Sequence, residues 1–124
     1  MDKEELVNLR DSAVRHYDRM IAYAEKVSKE ISPTIHADHL RMNREIGEHW
    51  GPHYCGYCES HRGGFIRGCF ACPLNSKVSL SCCNGLHAEM CDAKTWEEWL
   101  PLAKEVRQYI IVHGLVAILG ANNA

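Results

Sequence analysis

The chain has 124 residues, 46% hydrophobic and 24% charged, which leaves room for one core and predicts a single domain over residues 1–124. Its 14 Lys and Arg against 16 Asp and Glu give a formal charge of −2, so the strong basic excess that accompanies general duplex binding is absent. Seven cysteines and eight histidines in so short a chain are the unusual feature, and a functional reading begins with them.

The first sixteen residues are densely charged and lack the apolar run and small-residue cleavage site of a secretory signal, so the expected location is the cytoplasm. In a reducing compartment an odd number of cysteines reads as metal ligands, reactive thiols or small core residues before it reads as disulfides. Residues 2–31 carry Leu6, Leu9, Ala13, Tyr17, Met20, Ala24, Val27 and Ile31 in steps of three and four, the pattern of one helix with one apolar face. Asp11 with Arg15, and Glu25 with Lys29, stand four apart and can pair along its solvent side. Ser32-Pro33 ends this helix, because proline disfavours helical geometry in the residue before it.

A second helix is predicted over 34–50, with Ile35, His39, Met42 and Ile46 on one side and Gly51-Pro52 as its stop. From 53 to 84 the periodicity disappears and Cys, Gly and aromatic residues dominate, as in a region organised by a metal, and the metal module is expected over 53–91. Thr95 then reads as an N-cap with Glu98 completing a capping box, opening a helix over 95–114 through Trp96, Trp99, Leu100, Ala103, Val106 and Ile110. Pro101 argues against an unbroken helix, and Gly114 either ends or interrupts it. The apolar run from Tyr109 to Ala121 is broken by His113 and Gly114 and falls short of the ~20 residues that cross a bilayer. The expected fold is mainly α: two long amphipathic helices, antiparallel, packed on a small loop- and hairpin-rich metal module. The same stripes allow a homodimer through the helices as well as a monomer, although Leu9, Ala13 and Tyr17 depart from heptad spacing.

Cys55, Cys58, Cys69 and Cys72 form a C-x2-C-x10-C-x2-C array. Two such knuckles can turn four thiolates to one point and close a tetrahedron around Zn²⁺. Gly63, Gly64 and Gly68 lie between them, where a hairpin would bring the knuckles together. Cys83, His87 and Cys91 step by four and would share one face of a helix, with Cys82 beside them. These four are either a second site, alternative ligands for the first, or small buried residues. His36, His39, His49, His53 and His61 have no partners that the spacing fixes.

The stretch from Cys55 to Trp99, with its first C-x2-C, the run Gly68-Cys69-Phe70-Ala71-Cys72-Pro73-Leu74, a later cysteine at Cys82 or Cys83, and Trp96 and Trp99 opening a helix, resembles small cysteine-rich proteins of bacteriophages. The knuckles are similar to those of zinc-ribbon and treble-clef folds. The resemblance covers about a third of the chain and implies a phage origin and a bound zinc, without implying an activity.

An iron-sulfur cluster is the rival cofactor, since Cys72-Pro73 is similar to the Cys-Pro of ferredoxin motifs, but the C-x2-C-x2-C run is missing. Cys55-Gly56-Tyr57-Cys58 also matches a thiol-redox C-x-x-C, without the surrounding βαβ pattern. Asp38-His39 and Asn43 precede both knuckles, whereas HNH-type nucleases place the catalytic Asp-His between them. A closed shell of four thiolates is structural, so the leading expectation is a non-enzymatic, zinc-stabilised interaction or regulatory protein with a protein partner. Phe65, Ile66 and Phe70 are its candidate anchors. The alternative is a ribbon-type nucleic-acid module using Arg62 and Arg67. The +2 of Arg62, Arg67 and Lys77 over Glu59 is cancelled by the −2 of a zinc held by four thiolates, which leaves the protein-partner reading ahead.

Overall fold

The computed structural model describes residues 2–27, 34–48 and 87–121, which form four helices: α1 (Lys3–Val27), α2 (Ile35–Ile46), α3 (His87–Asp92) and α4 (Trp96–Gly120). The mainly α expectation holds across these residues. The predicted end of the first helix at Ser32-Pro33 lies outside them, as does most of the cysteine-bearing stretch.

Each long helix begins where a side chain satisfies an orphan amide. Asp2 accepts from the Glu5 amide at 2.8 Å ahead of α1, and Glu4 and Glu5 add negative charge in its first turn. Thr34 caps α2 through Ala37 at 3.3 Å, and Thr95 caps α4 through Glu98 at 3.2 Å. The Glu98 carboxylate reaches back to the Lys94 amide at 3.2 Å, one residue beyond the position a strict capping box would use.

α2 stops earlier than Gly51-Pro52 predicts. Gly47 takes a left-handed φ of 70°, and its amide turns back to the Asn43 carbonyl, the C-terminal geometry that glycine adopts without a Cβ penalty. α4, by contrast, runs unbroken past both Pro101 and Gly114. Pro101 is exposed, so the carbonyl its ring frees is accessible to water, while Gly114 lies on the buried line of the helix and neither ends nor interrupts it.

α1 and α4 are antiparallel and pack directly on one another. Arg10 donates to the Ile111 carbonyl at 3.1 Å, Asp18 pairs with Arg107 at 2.5 Å, and Glu25 pairs with Lys104 at 3.4 Å, so one helix ascends as the other descends. Glu25 thus has a partner across the helix pair, while the Lys29 expected beside it lies outside the described residues, and Asp11 pairs with the adjacent Arg10 at 3.6 Å. α2 lies along a second side of α1, which widens the buried arc of α1 beyond the single stripe to include His16, Ile21 and Tyr23. Leu9 is only partly buried.

The N-termini of α2 and α4 are tied together by an antiparallel bridge between Thr34 and Thr95, with the Ile35 amide donating to the Lys94 carbonyl at 2.9 Å. Two positive helix ends side by side call for an anion. Asp38, buried in the first turn of α2, supplies it: its Oδ2 accepts from the Tyr23 hydroxyl at 2.5 Å and from Trp96 Nε1 at 2.9 Å. Burial, reinforced by the neighbouring carboxylate, pushes the Tyr23 phenol well above its ordinary value, which keeps it a donor. Trp96 packs edge-on against Trp99 at 5.2 Å and against Tyr23 at 5.8 Å. Met20, Met42, Met90, Val106 and Ile110 complete the core around them.

α2 therefore turns in Ile35, Met42 and, partly, Ile46 as the spacing predicts, but buries Asp38 in place of His39, which is only half-buried. Trp96 and Trp99 are both fully buried, but Trp99 Nε1 has no hydrogen-bond partner among the described residues. Trp96→Phe strips a donor from a buried carboxylate, whereas Trp99→Phe removes a donor that satisfies nothing. In urea unfolding we expect Trp96→Phe to lose about 2 kcal/mol more stability than Trp99→Phe. Equal losses would remove Asp38 from its organising role.

Candidate functional site

One turn of α1 receives the chain on both sides of residues 49–86. Glu48 follows the Gly47 cap and folds inward, where its carboxylate accepts from His16 Nδ1 at 2.7 Å and from Arg19 Nε at 2.5 Å. On the return side, Met90 of α3 is fully buried and its sulfur accepts from the Tyr17 hydroxyl at 3.9 Å. His16 and Tyr17 are consecutive, with their rings edge to face at 6.2 Å. The cysteine-bearing stretch thus leaves and re-enters the helical scaffold at neighbouring points.

Burial lowers the His16 imidazole below its ordinary 6.5 despite the opposing pull of Glu48, so near neutrality it is uncharged and donates through Nδ1–H. Burial alone would raise the Glu48 carboxyl, but the Arg19 hydrogen bond and His16 outweigh it and hold the group below its ordinary 4.5. Both shifts act in the same direction. As pH falls through 6.5, the unfolded chain protonates position 16 before the folded chain does, and below 4.5 position 48 behaves likewise.

The second element of the site is the outer surface of α4. In its first half the outward positions are Pro101, Lys104, Glu105 and Gln108, as solvent demands. In its second half they are Val112, Leu115, Val116 and Leu119, exposed to 46%, 45%, 60% and 70%. These positions fall at i, i+3, i+4 and i+7, opposite the buried Ile110, Gly114 and Ile118. From Gln108 onward the sequence has no Asp, Glu, Lys or Arg. Both sides of this half-helix are therefore apolar, and only one is covered by α1. Periodicity alone did not single the stripe out, because the inward stripe occupied the reading; the signal was the abrupt end of charge after Arg107.

The metal array predicted from Cys55, Cys58, Cys69 and Cys72 lies outside the described residues, as do Cys82, Cys83, Arg62, Phe65, Ile66, Arg67 and Phe70. His87 and Cys91 fall in α3, four residues apart and so one turn apart along the helix. Among the described residues, no three His, Cys, Asp or Glu side chains are grouped to hold a metal ion. His36 and His39 lie 6.3 Å apart on the exposed edge of α2, where His39 Nδ1 donates to the His36 carbonyl. His49, His53 and His61 are outside the description. Asp38 is engaged by Tyr23 and Trp96, which gives it an architectural role. An open groove of about 600 Å³ lined by Leu40, Asn43, Arg44, Gly47 and Glu48 runs beside the point where the chain enters residues 49–86.

Among the described residues no helix is long and apolar enough to cross a membrane. Comparison with protein families, with curated proteins and with solved structures finds no match to this chain.

The titration of His16 and Glu48 predicts an acid-labile fold. Thermal stability should decline as pH falls from 6.5 and again below 4.5, and His16→Gln should flatten the upper part of that decline. A parent stability that stays level between pH 7 and pH 5 would show that the burial of His16 has no energetic consequence.

Proposed function

We propose that this chain is a non-enzymatic interaction protein: a helical scaffold that holds a zinc-stabilised cysteine segment and binds a protein partner through the outer face of α4. The observation that carries the partner reading is the stripe Val112, Leu115, Val116 and Leu119. Contiguous exposed apolar residues of this kind mark surfaces that become covered. A lipid surface is a poor fit, because membrane-surface helices set Lys and Arg along their polar side and residues 108–121 have neither. A phosphate backbone is a poor fit for the same reason. A protein groove that accepts anchors at i, i+3, i+4 and i+7 fits the spacing.

The metal reading is supported by the chemistry of the donor set. Cys55, Cys58, Cys69 and Cys72 would hold the ion through four thiolates, a donor set that closes the coordination sphere and leaves no position for substrate. Zinc bound there would supply folding free energy to a stretch with little apolar periodicity of its own. Cys82, Cys83, His87 and Cys91 are the candidates for a second ion.

Elemental analysis of chain purified without metal affinity steps should find one zinc per chain, reduced by Cys55→Ser. Two zincs would bring in the Cys83, His87 and Cys91 group, iron would turn the reading to electron transfer, and absence of metal would overturn it. A photo-reactive residue in place of Val116 should give one discrete adduct with a different protein, while the same residue in place of Glu105 should give none. An adduct with a second copy of the chain would replace the partner reading by self-association, and equal labelling from both positions would remove the stripe from function.

A further inference from the structure

We infer that the His16–Tyr17 turn of α1 is a two-sided clamp that couples the order of residues flanking the cysteine segment, so that ion uptake by that segment and the order of this turn promote one another. The ion-uptake part rests on the zinc reading above, while the clamp rests on geometry alone. Glu48 lies beyond the end of α2, yet its side chain is only 9% exposed and is held by two nitrogen donors from α1. A residue past a helix end with no fixed role would leave a carboxylate in water. Met90, on the other flank, is 0% exposed within a helix of only six residues, too short to be stable by itself. Among the described residues, α3 is held by its packing on α4 and by the Tyr17 contact.

Consecutive residues of a helix point about 100° apart, so His16 and Tyr17 address the two flanks from adjacent sides of one turn. The scaffold therefore fixes Glu48 and Met90 on one turn before any ion binds, and the entropy of bringing these two flanks together is removed from the cost of assembling the ligands. Anything that loosens one side of the turn loosens the other, because His16 and Tyr17 share its backbone and their rings touch. By linkage, the factor by which the closed clamp tightens ion binding is the factor by which the ion tightens the clamp.

The test uses the full chain and three variants. Glu48→Gln weakens one side of the clamp. Tyr17→Phe removes the hydroxyl that contacts Met90 on the other side. Glu45→Gln is the control, since Glu45 pairs with Lys26 and Arg41 elsewhere on α2. Amide hydrogen exchange across α3 is measured on metal-free protein, and zinc affinity by competition with a chromophoric chelator. We expect Glu48→Gln to speed exchange in α3, on the other flank, by about tenfold and to weaken zinc binding by a similar factor, with Glu45→Gln at parent values. Tyr17→Phe should in turn speed exchange at Gly47 and Glu48. Exchange that changes only on the substituted side overturns the clamp whatever the zinc content. Coupled exchange in a parent that takes up no zinc retains the clamp and sinks the zinc reading alone. Should Glu48→Gln fail to fold, Tyr17→Phe decides the question.

Discussion

The arrangement of the helices depends on one buried carboxylate. Asp38 stands where the N-termini of α2 and α4 are bridged through Thr34 and Thr95, and it accepts hydrogen bonds from Tyr23 of α1 and Trp96 of α4. The three long helices therefore meet at a single oxygen. Without a negative charge there, two helix N-termini would face each other with their amide ends unopposed. With it, the charge is offset by both dipoles and by two directed donors, and Arg41 stands 3.9 Å from its other oxygen. A group of this kind specifies as much as it stabilises, because only one relative placement of α1, α2 and α4 satisfies it.

From that junction the scaffold extends along α1. Its length is matched by α4, running in the opposite direction and stitched to it by Arg10, Asp18 and Glu25. Half-exposed ion pairs of this type contribute little each, and the packing of Tyr17, Met20, Ala24, Trp99, Val106 and Ile110 supplies most of the cohesion. Midway along α1, the His16–Tyr17 turn takes hold of Glu48 and Met90. The junction positions α2, α2 ends at Gly47, and the Gly47 turn delivers the Glu48 carboxylate to His16. The clamp is thus a consequence of the same geometry that begins at Asp38.

The proposed partner surface and the scaffold make opposite use of hydrophobicity. α4 buries Trp96 through Ile118 against α1 and leaves Val112, Leu115, Val116 and Leu119 facing outward. A helix apolar on both sides has a low amphipathic contrast, which is why this half of α4 resembles a buried core helix in sequence although one of its sides is exposed in the structure. The proposed zinc segment emerges between α2 and α3, and the stripe lies near the far end of α4, so the two proposed roles fall on different parts of one chain.

The sequence by itself determined the helices wherever local physics decides. The three- and four-residue steps from Leu6 to Val27, the Thr95 cap and the Trp96 to Ile110 stripe each describe an element that folds from its own spacing and capping. The cysteine spacing likewise carries the zinc proposal without reference to any fold. Tertiary structure decided what depends on partners distant in the chain. Asp38 rather than His39 points inward because Tyr23 and Trp96 offer it donors; Asp18 meets Arg107 because α4 lies alongside; His16 and Glu48 meet only because α2 folds back along α1. Local spacing shows which faces are apolar, but only packing shows which of two apolar faces is covered and which polar group is buried, since both are set by groups that the chain brings together from far apart.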